Sequence, residues 1–158
     1  MKIYLAAGLF NAGERLHNIF LEMALRELGY EVILPQREAL KFFDPATGTF
    51  DVAGIVENCK QSSADGKNIV VANSDGADGD SGTCVELGIA VASTGRAVVF
   101  RTDFRTAMDR ELGVNAMLKP KGVVFIYHPC FFTELSQVEP YYRELARKID
   151  EAVRNISV

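Results

Sequence analysis

Between Ile69 and Ala92 the chain changes character twice within a few residues. Ile69-Val70-Val71-Ala72 is an unbroken apolar run and reads as a buried strand. Gly76, Gly79 and Gly82 then allow a tight, irregular loop, and Asp75, Asp78 and Asp80 crowd carboxylates into it. From Gly82 the pattern turns helical, with Val85, Ile89 and Ala92 on one face and Glu86 in the expected first turn. A strand that breaks into a glycine loop and restarts as a helix is the unit of an open α/β sheet. Such sheets place their chemistry at the C-terminal ends of their strands.

The rest of the chain repeats that alternation. Lys2 to Ala7 reads as a first strand ending at Gly8, where a ligand can approach the backbone closely. Leu16, Ile19, Phe20, Met23, Ala24 and Leu28 recur at helical spacing and predict a helix from about Ala12 to Leu28, stopped by Gly29. Glu31 to Leu34 predicts a second strand closed by Pro35, so the opening is a β-α-β unit with parallel strands. From Pro35 to Thr49 no regular pattern holds. Phe42, Phe43 and Phe50 around this stretch either wall a pocket or pin a loop to the core. Asp51 to Asp65 predicts a helix with Val52, Ile55, Val56 and Cys59 inward. Ala97 to Phe100 and Gly122 to Tyr127 are the fourth and fifth strands. Between them lie Arg101-Thr102-Asp103-Phe104-Arg105 and a stretch containing Gly113 to Leu118. Ser136-Gln137-Val138-Glu139 fits a capping box opening a last helix, with Tyr142, Leu145, Ile149 and Val153 on one face and Pro140 in its first turn. The expected fold is a single domain spanning residues 1–158: an α/β three-layer sandwich, flavodoxin-like or Rossmann-like, around a five-stranded parallel sheet.

Composition narrows the function. A net charge of −4 with no Lys/Arg stripe argues against nucleic acid as a partner. No apolar stretch has the length of a membrane span, and Lys2 leads into a strand pattern, not a signal peptide. Three widely spaced cysteines, Cys59, Cys84 and Cys130, suit a reducing cytoplasm and form neither a disulfide framework nor a metal motif. His17, expected to be an exposed helix residue, and His128, expected at a strand end, show no ligand spacing, so no metal is expected. No G-x-G-x-x-G follows the first strand, and no Gly-Lys-Ser/Thr closes the glycine loop, which excludes the dinucleotide fingerprint and the P-loop.

What remains is an acidic site. Thr83-Cys84-Val85-Glu86, taken alone, fits a capping box in which the glutamate only satisfies a backbone N–H. Three aspartates close to that glutamate favour a second reading, since an acid/base pair needs two carboxyls with split pKa values. Cleavage at an anomeric carbon uses such a pair: one carboxylate attacks or stabilises the oxocarbenium-like centre, and a second carboxyl protonates the leaving group. A helix N-terminus favours ionised Glu86 as nucleophile, and like-charged neighbours are expected to raise the pKa of Asp80, as a proton donor requires.

Asp75-Gly76, Asp80-Ser81-Gly82-Thr83 and Glu86-Leu87-Gly88 resemble the Asp-Gly…Asp-x-Gly-x-x-x-Glu-x-Gly signature of the nucleoside 2-deoxyribosyltransferase family. The opening Ile3 to Phe10, the run Arg101 to Arg105 and Asn115-Ala116-Met117 are similar to further blocks of that family, in family order. The resemblance implies that Glu86 forms a covalent 2-deoxyribosyl-enzyme, that Asp80 contacts the base and assists its protonation, and that Tyr4 hydrogen-bonds and orients the glutamate. It places Gly8, Phe10, Asp75 and Gly82 among the substrate-binding residues, and Asn115 and Met117 in the pocket of a neighbouring subunit. It implies 2'-deoxynucleosides and free nucleobases as substrates, no metal or organic cofactor, and a homodimer or a hexamer built from dimers. The chain departs from the family where the helix before the third strand usually carries a substrate-facing Asp or Asn. That position falls at or near Lys60, with Asn58 close by. Ile156-Ser157-Val158 also offers no counterpart to the C-terminal carboxylate that enters the pocket in some members.

The expected activity is transfer of 2-deoxyribose between nucleobases in a ping-pong sequence, with slow hydrolysis when no acceptor base is present. Two readings compete. A 2'-deoxynucleoside 5'-phosphate N-hydrolase would share Glu86 and need a phosphate cradle, part of which Ser81 and the N–H groups near Gly82 supply. A non-catalytic nucleoside-binding module would use the same fold without chemistry.

Overall fold

A computed structural model describes residues 1–105 and 114–156, so Gly113, Ser157 and Val158 lie outside the described residues. Strands β1 (Lys2–Ala6), β2 (Glu31–Ile33), β5 (Asn68–Asn73), β6 (Ala97–Arg101) and β7 (Val123–Tyr127) form one sheet in the order β2-β1-β5-β6-β7. Every neighbouring pair in it is parallel, with Ile3 opposite Ile69, Val71 opposite Val98 and Val99 opposite Phe125. The expected five-stranded parallel sheet is therefore present. The chain winds outward from β1 in both directions, so β1 and β5 flank the point where the strand order reverses, the crevice that α/β sheets use for ligands.

The period-2 alternation of the strands sorts the two faces. Ile3, Leu5, Ile69, Val71, Val98 and Phe100 point to one side, where they pack with Leu21 and Leu25 of α1 (Ala12–Glu27) and Leu145 and Ile149 of α5 (Val138–Ile156). Tyr4, Ala6, Val70, Ala72 and Val99 point to the other, against Leu87 and Ala90 of α4 (Ser81–Thr94). Tyr4 is thus committed by its register to the α4 face, with its side chain 1% exposed. Helix α3 (Val52–Ala64) packs on α4 and completes that layer. The stripe Tyr142, Leu145, Ile149 and Val153 is buried as its spacing implied.

Several expectations are corrected. The segment after Pro35 is ordered. Pro35 occupies the first turn of a short helix α2 (Pro35–Glu38), where its missing N–H costs nothing, and a 3₁₀ turn (Ala39–Phe42) follows. Two-residue strands β3 (Phe43–Asp44) and β4 (Thr49–Phe50) then form a hairpin, with the Phe43 and Phe50 rings 5.0 Å apart. Asp44 Oδ1 accepts from Ala46 N, and Gly48 takes φ 69° to close the turn. Helix α3 does not turn Val52 and Val56 into the core: they are 66% and 53% exposed, and its buried residue is Ser63. It leans on the edge of α4, so its apolar stripe walls a cavity. In α4 the buried positions are Thr83, Leu87 and Ala90, while Val85 is 60% exposed. The expected capping box at Ser136 is absent. Gln137 Oε1 instead accepts from Thr133 N and Glu134 N in a 3₁₀ turn that precedes Val138. His17 is not a solvent-facing residue. Its ring stacks on Phe100 and its Nδ1 meets the Tyr142 hydroxyl at 2.9 Å, and burial pushes its pKa down.

Candidate active site

The loop between β5 and α4 is anchored before it reaches the site. Asn73 Oδ1 accepts from Asp75 N, and Gly76 takes φ 108°, a conformation that L side chains avoid. The Asp75 carboxylate turns towards β6. Oδ1 accepts from Thr102 N at 2.6 Å and Asp103 N at 2.8 Å, and Oδ2 accepts from the Thr102 hydroxyl. Arg101, 2% exposed, reaches back from the end of β6 and donates to the carbonyls of Ser74 and Gly76. Asp78 is exposed. The three aspartates are therefore not one crowded cluster: backbone N–H groups at the end of β6 draw Asp75 away, and Asp80 alone of the three lies with Glu86 on the main cavity.

Asp80 is the N-cap of α4. Its Oδ2 accepts from Thr83 N at 2.8 Å and from the Thr83 hydroxyl at 3.0 Å. This removes the capping-box reading of Thr83 to Glu86, because the helix starts at Ser81 and Glu86 falls in its second turn, not its first. Freed from any capping duty, Glu86 faces β1. The Tyr4 hydroxyl donates to Glu86 Oε1 at 2.6 Å, and the Cys59 thiol of α3 lies beside both groups. Burial pushes the Glu86 pKa above the usual carboxylate range, and the Tyr4 and Cys59 donors oppose it. Burial, reinforced by the Glu86 charge, drives the Tyr4 phenol far upward, so Tyr4 stays a donor.

These groups sit at one end of a cavity of about 720 Å³. Its apolar walls come from Phe42 and Phe50 of the hairpin region, Ile55 and Val56 of α3, and Val85 and Ile89 of α4. Phe10, 79% exposed, stands at the rim, and Ser81 and Gly82 line the cavity where α4 begins. Asn58 and Lys60 both line it, and Lys60 Nζ pairs with Glu57 at 3.1 Å. Counting along the sequence pointed to a substrate-facing position at or near Lys60, with Asn58 close by, and Cys59 between them lines the cavity as well. Asp80 also borders a second cavity of about 440 Å³, lined by Gly8, Glu14, Asp75, Asp103 and Arg105 among others. A Cβ at Gly8 would meet the Glu14 carboxyl carbon at 2.9 Å and displace a carboxylate that accepts from Phe10 N.

Asn115 and Met117 line neither of these two cavities. They lie on a 3₁₀ turn (Ala116–Leu118) that Asn115 caps through Met117 N, and Met117 is 81% exposed. Sequence reasoning missed Cys59, Gln36 and Arg15 as cavity residues. The aromatic cluster Phe42 to Phe50 was the available signal for that side of the cavity, and Phe42 and Phe50 do line it. Among the described residues no group of three His, Cys, Asp or Glu side chains is placed to hold a metal ion, and no helix is long and apolar enough to cross a membrane.

Residues 3–117 match the family model described as nucleoside 2-deoxyribosyltransferase. A conserved protein from Enterococcus faecalis V583 shares the fold, with a TM-score of 0.57 at 20% identity over 92% of this chain and 98% of that one. A 2-deoxyribosyltransferase from the psychrotolerant bacterium Bacillus psychrosaccharolyticus does so too, with a TM-score of 0.55 at 24% identity over 92% of this chain and 96% of that one. A sequence comparison with curated proteins finds no match.

Proposed function

The chain belongs to the nucleoside 2-deoxyribosyltransferase family and is a glycosyl-transferring enzyme, and we propose that it carries 2-deoxyribose from one nucleobase to another through a covalent intermediate on Glu86. The observation that supports this most is the Tyr4–Glu86 hydrogen bond at 2.6 Å, on a mostly apolar cavity beside β1.

In the first half-reaction a Glu86 carboxylate oxygen attacks C1' of the deoxyribose. The C1'–N bond breaks and its electron pair passes to the departing base, which takes a proton at a ring nitrogen. Asp80, which lines the same cavity as Glu86, assists that protonation. The cap engages its Oδ2 and leaves Oδ1 for the base. In the second half-reaction the ring nitrogen of an incoming base attacks C1' and displaces Glu86, and a proton returns to Asp80. Water in place of the base gives slow hydrolysis. Tyr4 orients the carboxylate, and the apolar walls from Phe42, Val56, Val85 and Ile89 accept the flat faces of the base.

A nucleoside suits the site better than a nucleoside 5'-phosphate. The polar cavity beyond Asp80 carries Glu14, Asp75, Asp80 and Asp103, and its guanidinium, Arg105, is already paired with Asp103. Asn115 and Met117, exposed and away from their own cavity, suit a role at the edge of a partner's site in a homodimer or a hexamer of dimers. The test is direct. The protein is incubated with deoxyinosine and adenine, and deoxyadenosine is sought by chromatography, with Glu86→Gln and deoxyinosine 5'-monophosphate as parallel arms. Product from the wild type alone, and from the nucleoside alone, supports the reading. Normal transfer by Glu86→Gln refutes it.

A further inference from the structure

Thr83 gives Asp80 more than a helix cap needs. The backbone at the start of α4 is served by two bonds. Cys84 N donates to the Asp80 carbonyl at 2.9 Å, and Thr83 N donates to Asp80 Oδ2 at 2.8 Å. The Thr83 hydroxyl then donates to the same Oδ2, at 3.0 Å. Its aim is fixed by packing. Thr83 lies on the buried stripe of α4 with Leu87 and Ala90, is 4% exposed, and carries a β-branch that restricts χ1. Gly82 leaves the accepting oxygen room, since a Cβ there would come within 3.2 Å of Oδ2.

A carboxyl oxygen offers two lone pairs. On Oδ2 the N–H takes one and the hydroxyl takes the other. Rotation of a carboxyl about its Cβ–Cγ bond is broad and two-fold, so one donor alone would leave either oxygen able to carry a proton. We propose that Thr83 is a positioning residue for Asp80: its hydroxyl closes the second lone pair of Oδ2, so that the acid proton is carried on Oδ1, the oxygen that meets the departing base. The proposal rests on Asp80 being the proton donor of the reaction above. In that step the C1'–N electron pair passes to the base, the Oδ1–H bond breaks, and an N–H bond forms on the base. Asp80 is left as a carboxylate, and the two donors on Oδ2 stabilise the new charge, because hydrogen bonds to an ionised acceptor are about twice as strong as neutral ones. In the second half-reaction the proton returns to Oδ1, since Oδ2 has no lone pair to receive it.

The experiment compares the wild type with Thr83→Val, Thr83→Ala and Thr83→Ser. Val and Ala keep the capping N–H and lose the hydroxyl, and Ser keeps both. Transfer is measured from deoxyinosine to adenine, and from a deoxyribosyl nitrophenolate whose leaving group needs no proton. Thermal unfolding confirms that each variant is folded. Val and Ala are expected to lose about ten- to a hundredfold in kcat with deoxyinosine while KM stays near the wild-type value, the effect of one hydrogen bond to a charged group. Ser is expected within about threefold of the wild type, and the nitrophenolate rate is expected to hold in all three. In an Asp80→Asn background the Thr83→Val loss is expected to vanish, because the hydroxyl acts through the acid. Wild-type rates for Val and Ala with deoxyinosine, equal losses on both donors, or a Ser variant as slow as Val overturn the proposal. Normal transfer from deoxyinosine by Asp80→Asn overturns the acid assignment beneath it, and normal transfer by Glu86→Gln overturns the nucleophile assignment.

Discussion

Replacing Arg101 is expected to unfasten the loop that delivers Asp80 and Glu86. The side chain is 2% exposed and donates to the Ser74 carbonyl and, through both terminal nitrogens at 3.1 Å, to the Gly76 carbonyl. Arg101→Met keeps the volume and removes all of these donors. Two carbonyls near the strand end then lose their partners, at about 1–3 kcal/mol each, and a buried charge-assisted network is broken, so the total loss is about 3–5 kcal/mol. In a domain of this size that lowers Tm by roughly 6–20 °C. Arg101→Lys is expected to fall between, because one ammonium cannot reproduce the forked contact with Gly76. Thermal unfolding by circular dichroism at pH 7 gives the measurement. A Tm for Arg101→Met within about 2 °C of the wild type would show that the hydrogen bonds contribute nothing and that the loop is held by Asp75 alone.

Tyr4→Phe is expected to cost about 10–100-fold in transfer and to move the acidic limb of kcat/KM upward, since it removes a donor to the ionised form of Glu86; an unmoved limb would rule out the orienting role. Asp80→Ala is expected to cost about 1 kcal/mol of stability through the lost cap, whereas Asp80→Asn keeps the cap. Asp80→Asn should slow transfer from purine deoxyribosides about a hundredfold or more, with much less effect on a deoxyribosyl nitrophenolate that needs no proton. Normal rates on both substrates would reduce Asp80 to a cap. The Arg105 guanidinium beside Asp103 holds its carboxyl well below the usual carboxylate range. Its stabilising contribution is therefore complete above about pH 4 and lost as pH falls through the lower, folded-state value. Tm measured from pH 7 to pH 2 should fall less steeply in Asp103→Asn, and parallel curves would contradict this.

Much of the frame was legible because it rests on local rules. The unbroken apolar runs Ile3 to Ala6 and Ile69 to Ala72 name buried strands, whose period of two then divides their side chains between the two faces. The helical stripe Tyr142 to Val153 names α5. The candidate site was legible at Tyr4, Asp80 and Glu86, which the structure gathers on one cavity. It was not legible at Asp75, where a carboxylate that reads as free is bound by the N–H groups of Thr102 and Asp103, just after β6. The stripe of α3 misled for a related reason. Apolar spacing states that a face seeks contact, but not whether the contact is the sheet or a cavity.

The sequence by itself determined the order of strands and helices, the parallel sheet that this order demands, and the presence of an acidic turn at a strand end. Each follows from interactions between residues close in the chain. The tertiary structure alone decided which carboxylates face one another. The hydrogen bond from Tyr4 to Glu86 joins residues on β1 and α4, and the thiol beside them arrives on α3. The cap of α4 at Asp80 sets Glu86 in the second turn facing β1, the packing of α3 on α4 brings Cys59 onto the same cavity, and the end of β6 captures Asp75. These are contacts across the fold, set by helix rotation and by the hydrogen-bond demands of buried groups, and no local spacing encodes them.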